Sequence, residues 1–454
     1  MTSRGIADRA KILSFIDENK DSIISDLKEL VRKPSLTGEE LCGQEWIIKK
    51  WGNMGLSLDV WEPDVEELFD KFPTMAQYPS SWQQELDLPL KFEDKCTYEQ
   101  LSRSKFAGVL TYKGRPNVVG IKKGQGGGCS LILNGHIDVV TVGDSNDWIY
   151  GPFSAHIENR RLYGRGACDM KGGLIAMTAA LEAIIRSGIR LDGDVILQSV
   201  VNEEHSGNGT MACVARGYTA DAAICAEPSG SQKFSVDSGG GIYWEISVFG
   251  REVHAGKRWK EGDLNGVSAI EKMSIVIDEL IRMESQVNSS EKILSLGMGL
   301  ISGGSYATST AAKCVLSGVC YFSSALGLGE TGLKKIKKFL GGAITASAQR
   351  DPWLGRHLPK LTFSHYTAAY RWSEKNELVE ILKAAGKEIN DLELKSVTFS
   401  ASDAARLGNM QEIPCIVYGP GEIEVAHSVN EYVEEDEVIR ATKTLALTIH
   451  GWSC

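Results

Sequence analysis

Five short segments of the chain contain side chains that bind metal ions in many proteins. They are 135–138 (Gly-His-Ile-Asp), 166–173 (Gly-Ala-Cys-Asp-Met-Lys-Gly-Gly), 202–204 (Asn-Glu-Glu), 226–228 (Ala-Glu-Pro) and 426–428 (Ala-His-Ser). Together they offer two imidazoles and three carboxylates for a site of two metal ions, with two further carboxylates left over, one of them a glutamate. Divalent ions such as zinc take this mixture of nitrogen and oxygen ligands. A spare glutamate beside an activated water can act as the general base of a hydrolysis, so the set predicts a dinuclear metal-dependent hydrolase.

The first of these segments follows the apolar run 131–133, which predicts a buried strand. Ligands of open α/β sheets gather beyond the carboxyl ends of strands, where His136 and Asp138 would lie. Side chains two residues apart share one face of an extended segment. Asp138 can therefore accept a hydrogen bond from the far ring nitrogen of His136 and fix its tautomer. Taken alone, the two residues would also fit a surface pair at a strand end.

The remaining carboxylates follow the same pattern. Asp169 lies in a glycine-rich stretch before a predicted helix, where its two oxygens could bridge two metal ions or simply cap the helix. Glu203 and Glu204 end the predicted strand 195–201, and a bulge there would turn both toward one site, one as ligand and one as base. Glu227 ends another apolar strand, and His427 follows a glycine loop. Each residue alone has a structural explanation, but five such segments in one fold favour a metal site.

The elements around these segments predict an α/β fold. Apolar periodicity favours helices near 21–33 and 42–54, and alternation favours a strand at 56–60. Further along, the predicted elements are strands at 117–121, 130–134, 195–201 and 222–225, with helices at 170–188 and 208–217. This order predicts a mainly parallel sheet with helices on both faces. Residues 62–112 lack a regular apolar pattern and are interpreted as an irregular insertion that could form a flap at the site entrance.

The pattern changes near residue 237. The predicted elements there are a strand (242–249), a helix (265–285), two strands (295–301 and 312–323), a helix (331–348) and a strand (360–367). This β-α-β-β-α-β order suits a small antiparallel sheet with helices on one face. The alternation of helices and strands that precedes residue 237 then resumes, with predicted helices at 374–390 and 434–449 and strands at 396–400 and 413–418. We therefore predict a discontinuous catalytic domain, 1–236 and 371–454, interrupted by a lid domain, 237–370.

Composition excludes several classes of partner. The chain has 49 Lys and Arg against 59 Asp and Glu, a net charge of −10, which argues against nucleic acid or anionic membranes. No apolar run approaches the ~20 residues of a membrane span, and the first residues lack the apolar centre of a signal peptide. Ten cysteines occur singly, as expected for thiols in a reducing cytoplasm. We do not expect Cys168, beside Asp169, to be a ligand.

The motifs resemble those of a metallohydrolase family that includes acetylornithine deacetylase, succinyl-diaminopimelate desuccinylase, aminoacylase and carboxypeptidase G. Segments 134–140 and 162–173 are similar to its two signatures, and the likeness runs from about residue 110 to the C-terminus. The resemblance implies two divalent metal ions, zinc with cobalt or manganese as alternatives. His136, Asp169 and Glu227 would hold one of them, and Glu204, Asp169 and His427 the other.

The resemblance also assigns roles to three further residues. Glu203 would be the general base and Asp138 the partner of His136. His254, in the sequence Val-His-Ala-Gly of the predicted lid, matches a histidine that stabilises the oxyanion in the site of the partner subunit. A homodimer joined through the lid is therefore implied. On its own, His254 would be interpreted as a surface or core residue.

Two parts of the predicted lid depart from the family's pattern. An Asn-x-x-Pro-like segment after a glycine pair is replaced by 305–310 (Ser-Tyr-Ala-Thr-Ser-Thr), and an arginine near the end of the next strand is replaced by 321–324 (Tyr-Phe-Ser-Ser). In relatives these positions contact the carboxylate side of the substrate. The predicted reaction removes an acyl group from a small N-acylated amine or amino acid. Alternatives are a dipeptidase or carboxypeptidase, and a deformylase of a formylated heterocyclic amine. A non-catalytic binding protein is disfavoured because the ligands and the base are all retained.

Overall fold

The computed structural model describes residues 3–73, 75–79, 81, 98–103, 107–391 and 393–454. The chain divides into two compact units. The first contains the described residues up to Ser238 together with Tyr370–Cys454, and the second contains Gly239–Ala369.

The described residues form thirteen α-helices and nineteen strands. The helices are α1 (Ser3–Glu18), α2 (Lys20–Val31), α3 (Leu41–Asn53), α4 (Val65–Lys71), α5 (Tyr98–Ser102), α6 (Gly172–Arg186), α7 (Asn208–Ala215), α8 (Ala269–Val287), α9 (Gly329–Arg350), α10 (Pro352–Arg356), α11 (Glu377–Asn390), α12 (Asp403–Gln411) and α13 (Glu435–Ser453). The strands are β1 (Ser57–Trp61), β2 (Asn117–Lys122), β3 (Leu131–His136), β4 (His156–Glu158), β5 (Arg161–Tyr163), β6 (Val195–Val200), β7 (Ala222–Cys225), β8 (Lys233–Phe234), β9 (Asp237–Ser238), β10 (Gly240–Phe249), β11 (Trp259–Lys260), β12 (Asp263–Leu264), β13 (Leu294–Gly303), β14 (Lys313–Phe322), β15 (Lys360–Thr367), β16 (Tyr370–Arg371), β17 (Lys395–Ser396), β18 (Cys415–Val417) and β19 (Tyr432–Glu434).

Six strands form the central sheet of the first unit, in the order β1-β2-β6-β3-β7-β18. The four strands β6, β3, β7 and β18 run parallel, whereas β2 is antiparallel to both of its neighbours. Every residue of β3, β6 and β7 is buried, as expected for parallel strands that are covered on both faces. The sheet confirms the predicted α/β class.

Helix α6 passes against the end of β7 at a very short distance. A Cβ atom on Gly173 would lie 1.8 Å from the carbonyl oxygen of Ala226. Only glycine permits this approach of two backbones. The contact therefore sets the distance between the start of α6, which follows Asp169, and the end of β7, which precedes Glu227.

Most predicted helices and strands of the first unit are confirmed, and two predictions need correction. The predicted strand 396–400 is mostly irregular, because only Lys395–Ser396 forms a strand, paired with β8. Helices α1 and α12 were not predicted. The insertion 62–112 is not wholly irregular, since α4 and α5 lie within it. The flap interpretation falls in part on residues 74, 80, 82–97 and 104–106, which are outside the described residues, and it stays a prediction.

The second unit has the β-α-β-β-α-β order predicted from the sequence, with the short elements β11, β12 and α10 added. Its antiparallel sheet has the order β13-β14-β10-β15. Alternate residues of β10, from Ile242 to Val248, join one apolar core with Met273 and Leu280 of α8 and Phe339 of α9. Both long helices therefore cover the same face of the sheet.

In the described part of the chain, no helix combines the length and the apolar character that crossing a membrane would require. The described cysteines form no disulfide bonds with one another.

Candidate metal centre

Predicted ligands meet at the carboxyl edge of the central sheet. His136 is the last residue of β3, Glu203 and Glu204 come shortly after β6, and Glu227 comes shortly after β7. Because β6, β3 and β7 are parallel neighbours, their carboxyl ends lie side by side. This placement follows the general rule for ligand sites in α/β sheets.

Asp169 lies between the two imidazoles and directs one oxygen toward each. Its Oδ1 is 3.1 Å from His136 Nε2, and its Oδ2 is 3.2 Å from His427 Nε2. Glu227 Oε1 lies 3.8 Å from His136 Nε2, and Glu204 Oε2 lies 3.0 Å from His427 Nε2. The structure thus brings two histidines and three carboxylates together in the arrangement that a shared, bridging aspartate requires.

A buried ion pair holds the backbone around Asp169. The N–H groups of Cys168 and Asp169 donate to Glu431 Oε1 at 2.9 and 3.1 Å. The other oxygen of Glu431 accepts from Arg165 Nη1 at 2.6 Å. Cys168 Sγ contacts the carbonyl oxygen of Glu422 at 3.4 Å. Sequence reasoning missed the Arg165–Glu431 pair, although each residue lies four positions from a predicted ligand.

Asp138 contacts the predicted residues through two different groups. Its main-chain carbonyl oxygen lies 2.8 Å from His136 Nδ1, whereas its carboxylate lies 3.8 Å from the same nitrogen. The predicted hydrogen bond between side chains is therefore replaced by one from the ring to the backbone, which leaves Nε2 directed toward Asp169. The carboxylate accepts the N–H groups of Glu203 at 3.0 Å and Glu204 at 3.3 Å, and the hydroxyl of Thr37 at 2.8 Å.

Both adjacent glutamates face the site because the chain bends before them. Asn202 has a left-handed backbone with φ +61°, which few non-glycine residues adopt. Its side-chain oxygen accepts the hydroxyl of the buried Tyr112 at 2.8 Å. The bend lets residues that would point to opposite faces of a strand turn to the same side.

The electrostatics of the cluster favour additional positive charge. Burial, and then the negative charge of Asp403, raises the pKa of Glu203 to about 8. Burial and the charge of Asp169 also raise the pKa values of Glu204 and Glu227. Burial disfavours the ionised form of Asp169 as well, but hydrogen bonds from the imidazoles outweigh it and lower its pKa. The negative charge of the carboxylates thus exceeds the positive charge that the protein's own side chains supply at this site.

The residues present fit a pair of divalent metal ions. Imidazole nitrogens and carboxylate oxygens are ordinary zinc ligands, and two overlapping groups lie within ligand reach. Donor atoms of His136, Glu203 and Glu227, and those of His136, Asp169 and Glu204, lie within 4.8 Å of one another. Glu204 Oε1 is buried and has no hydrogen-bond partner among the described residues. A cation would supply the missing partner.

His254 belongs to the second unit, unlike the other predicted residues. It is exposed, and its Nδ1 accepts the N–H group of Gly256 at 3.1 Å. In the neutral ring the proton therefore lies on Nε2, which is available to donate. Its backbone pairs with Ser309, so the segment 305–310, which departs from the family pattern, lies beside this histidine.

Two charged residues beside Glu203 were not predicted. Arg406 Nη1 lies 3.7 Å from Glu203 Oε1 and 2.9 Å from Asp403 Oδ1. Asp403 and Arg406 both belong to α12, the helix that was missed. A signal was present in the sequence, because Ser402 is a preferred residue for a helix start and alanines and a leucine follow it.

Comparisons with known proteins find similar sequences and a similar fold. The sequence model of peptidase family M20/M25/M40 matches residues 132–451. The chain is 33% identical over 366 residues to the N-formyl-4-amino-5-aminomethyl-2-methylpyrimidine deformylase of Halalkalibacterium halodurans, which covers 75% of this chain and 84% of that protein. It is 26% identical over 330 residues to a probable succinyl-diaminopimelate desuccinylase of Staphylococcus aureus, with coverages of 68% and 80%. The solved structure of the di-peptidase Dug1p from Saccharomyces cerevisiae aligns with a TM-score of 0.72 and 14% identity over 98% of each chain, and so shares the fold.

We expect added zinc to raise the melting temperature of chelator-treated protein, because ions that bind only the folded state stabilise it. Differential scanning fluorimetry measures the shift, and elemental analysis measures the stoichiometry, expected at about two ions per chain. The variant His427→Ala should bind fewer ions and show a smaller shift. The variant His357→Ala, which changes an exposed histidine of the second unit, should behave as wild type. Absence of tightly bound metal in the wild-type chain would contradict the assignment.

Proposed function

Since the chain belongs to peptidase family M20/M25/M40, we propose that it removes a small acyl group from an N-acylated amine by metal-assisted hydrolysis of one amide bond. The observation that carries the proposal is the position of Asp169 between His136 and His427, with Glu203 close by. A binding protein would have no need to keep a carboxylate beyond the ligand set.

The ligand set divides into two groups around Asp169. His136 and Glu227 would hold one ion with it, and Glu204 and His427 the other. When bound, two divalent ions (zinc, or else cobalt or manganese) would supply positive charge that polarises the amide carbonyl and acidifies water. Asp138 orients both groups, because it fixes the ring of His136 and the backbone of Glu204.

Glu203 is the residue that moves protons in this proposal. Its carboxylate would take a proton from the attacking water and then deliver it to the departing amine nitrogen. Its partly exposed side chain, beside the donor atoms of His136 and Glu227, is suited to both transfers. The product acid and the free amine then leave without a covalent intermediate on the protein.

His254 would stabilise the oxyanion from the partner subunit. Its Nε2 is the proton-bearing nitrogen in the neutral ring, and a fixed donor at a developing negative charge is a large contribution to catalysis. The edge strand β13 of the same unit exposes 75% of Leu300 and 58% of Ile301. An exposed apolar edge is suited to pairing with a second copy, which supports a homodimer.

The preferred substrate is a formylated heterocyclic amine. The deformylase relative is the more similar of the two relatives, and it acts on a formylated pyrimidine by its name. Segment 321–324 lacks an arginine that could bind a substrate carboxylate. The desuccinylase relative favours a second candidate, an N-acyl amino acid. We propose a cytoplasmic location, where the thiols of the described cysteines, which form no disulfide bonds with one another, would be stable.

The substrate is tested with N-formyl-4-amino-5-aminomethyl-2-methylpyrimidine, an N-acetyl amino acid and the carboxamide analogue of that amino acid. We expect the formylated amine to have the highest kcat/KM, and the acid and its carboxamide to differ little. A loss of roughly 10²-fold on amidation, worth about 2.7 kcal/mol, would instead establish carboxylate recognition. Hydrolysis of none of the three by the metal-loaded chain would reject the proposed function.

The variant Glu203→Gln should keep its metal and lose about 10²–10⁴-fold in kcat, because the ligands remain while the base is gone. The matched variant Glu204→Gln, one residue away, should lose metal as well as activity. Turnover and metal content are measured on the same preparations. Near wild-type turnover by Glu203→Gln, together with full metal content in Glu204→Gln, would show that the two roles are wrongly assigned.

Mixing His254→Ala chains with Glu203→Ala chains should restore part of the activity, because a heterodimer would contain one complete site. Each variant alone should be inactive. Subunit exchange is confirmed by native mass spectrometry of differently tagged chains. Failure to recover activity after confirmed exchange would count against action of His254 across the dimer.

A further inference from the structure

We propose that Arg406 is a positioning residue that holds the carboxylate of Glu203 and its loop in the orientation for proton transfer. The proposal rests on the proposed function in one respect, the role of Glu203 as the base. Arg406 is carried by α12, outside the five segments that supply the predicted ligands and base.

The guanidinium of Arg406 contacts two points of one loop. Its Nη1 lies 3.7 Å from Glu203 Oε1, and its Nη2 donates to the carbonyl oxygen of Ser206 at 2.8 Å. The side chain is only 8% exposed. The planar guanidinium thus contacts the carboxylate of Glu203 and also the backbone three residues later. These two contacts together restrict the position of Glu203 more than a contact with its carboxylate alone would.

Arg406 is itself fixed by a buried polar chain. Asp403 Oδ1 accepts from Nη1 of Arg406 at 2.9 Å, and its Oδ2 accepts the hydroxyl of Thr210 at 2.5 Å. Thr210 in turn accepts from Asn134 Nδ2 at 3.0 Å. All four side chains are buried. The chain connects the loop of Glu203 to α7 and to β3, the strand that ends in His136.

The loop backbone is shaped to receive the guanidinium. Gly207 has φ +68°, and a Cβ atom there would lie 2.0 Å from Cζ of Arg406. The guanidinium therefore packs directly on the backbone at a position where a side chain would displace it. Lysine cannot reproduce this contact, because its ammonium is a point charge without the planar fork of arginine.

A general base must be held in a fixed position, and this explains why a residue such as Arg406 would be needed. Proton transfer requires the base to lie within hydrogen-bond reach of the water and then of the amine. The N–H groups of Glu203 and Glu204 both donate to Asp138, a contact that fixes the backbone but does not reach the carboxylate of Glu203. Arg406 contacts that carboxylate directly, with Nη1 3.7 Å from Glu203 Oε1. A displacement of about 1 Å in a catalytic group can cost roughly 10²-fold in rate.

The test compares Arg406→Lys and Arg406→Ala with Arg9→Lys. Arg9 is a matched control, because it is also buried and paired with a carboxylate, Glu388, at 2.5 Å, but it lies on α1. Hydrogen–deuterium exchange of the peptide 201–208 measures how firmly this loop is held, and it requires no substrate. The N–H groups of Ser206 and Gly207 both donate to the carbonyl oxygen of Asn202, so their exchange rates rise when the loop loosens. Activity is measured with N-formyl-4-amino-5-aminomethyl-2-methylpyrimidine, and metal content by elemental analysis.

We expect both Arg406 variants to exchange faster at 201–208 and to retain wild-type metal content. Their kcat should fall by about 10–10²-fold with little change in KM, and added methylguanidinium should restore part of the kcat of Arg406→Ala. Arg9→Lys should resemble wild type in exchange and kcat. Unchanged exchange at 201–208, unchanged kcat in a folded Arg406→Lys, or a loss of kcat explained by lost metal would overturn the proposal. If the wild-type chain does not hydrolyse the probe, the proposed substrate fails, and the exchange comparison still decides whether Arg406 holds the loop.

Discussion

The structure of the first unit depends on placing several carboxylates side by side in a buried site. Removing each carboxylate from water costs on the order of several kcal/mol, and the negative charge of Asp169 repels Glu204 and Glu227 in addition. Such a cluster is stable only where cations lie against it. The two imidazoles supply part of that charge, and bound divalent ions are the natural source of the rest. The same repulsion that makes the metal-free cluster unfavourable therefore gives it affinity for metal.

The parallel sheet makes this crowding possible. Three neighbouring strands end at one edge, so ligands from distant parts of the sequence meet without long loops. The loops themselves adopt unfavourable backbone shapes, with φ +61° at Asn202 and φ +59° at His427. Buried polar side chains outside the ligand set hold the segments around the site, since Asp138 binds the backbone of the two glutamates and Glu431 binds that of Asp169. The ligand geometry is thus set as much by these hydrogen bonds as by the ligands.

The sequence predicts the strands, the parallel sheet and the ligand positions because each leaves a local signal. Apolar runs identify β3, β6 and β7, and the functional residues follow them directly. Residues such as Arg165 and Glu431 leave no such signal, because their importance comes from a partner more than 250 positions away in the chain. Helix α12 was missed because it is short and its buried face is built from small residues such as Ala404 and Ala405. Asp138 illustrates a further limit, since residue spacing predicts which residues meet but not whether the carbonyl or the carboxylate makes the contact.

The chemistry of the metal centre and the choice of substrate have different physical origins. In the proposed reaction the metal centre would act on the amide carbonyl, a group that all the candidate substrates share, so the metal centre alone would suit many substrates. Discrimination between substrates must come from protein groups that are left without a partner when the wrong substrate binds. A buried cation that lacks a substrate carboxylate is among the most costly of these groups. In the proposed function, segment 321–324, which has aromatic and hydroxyl groups in place of an arginine, would impose no such penalty on a neutral amine. Under the proposed function, replacement of that cation would widen the range of amines that the enzyme accepts without any change to the metal ligands.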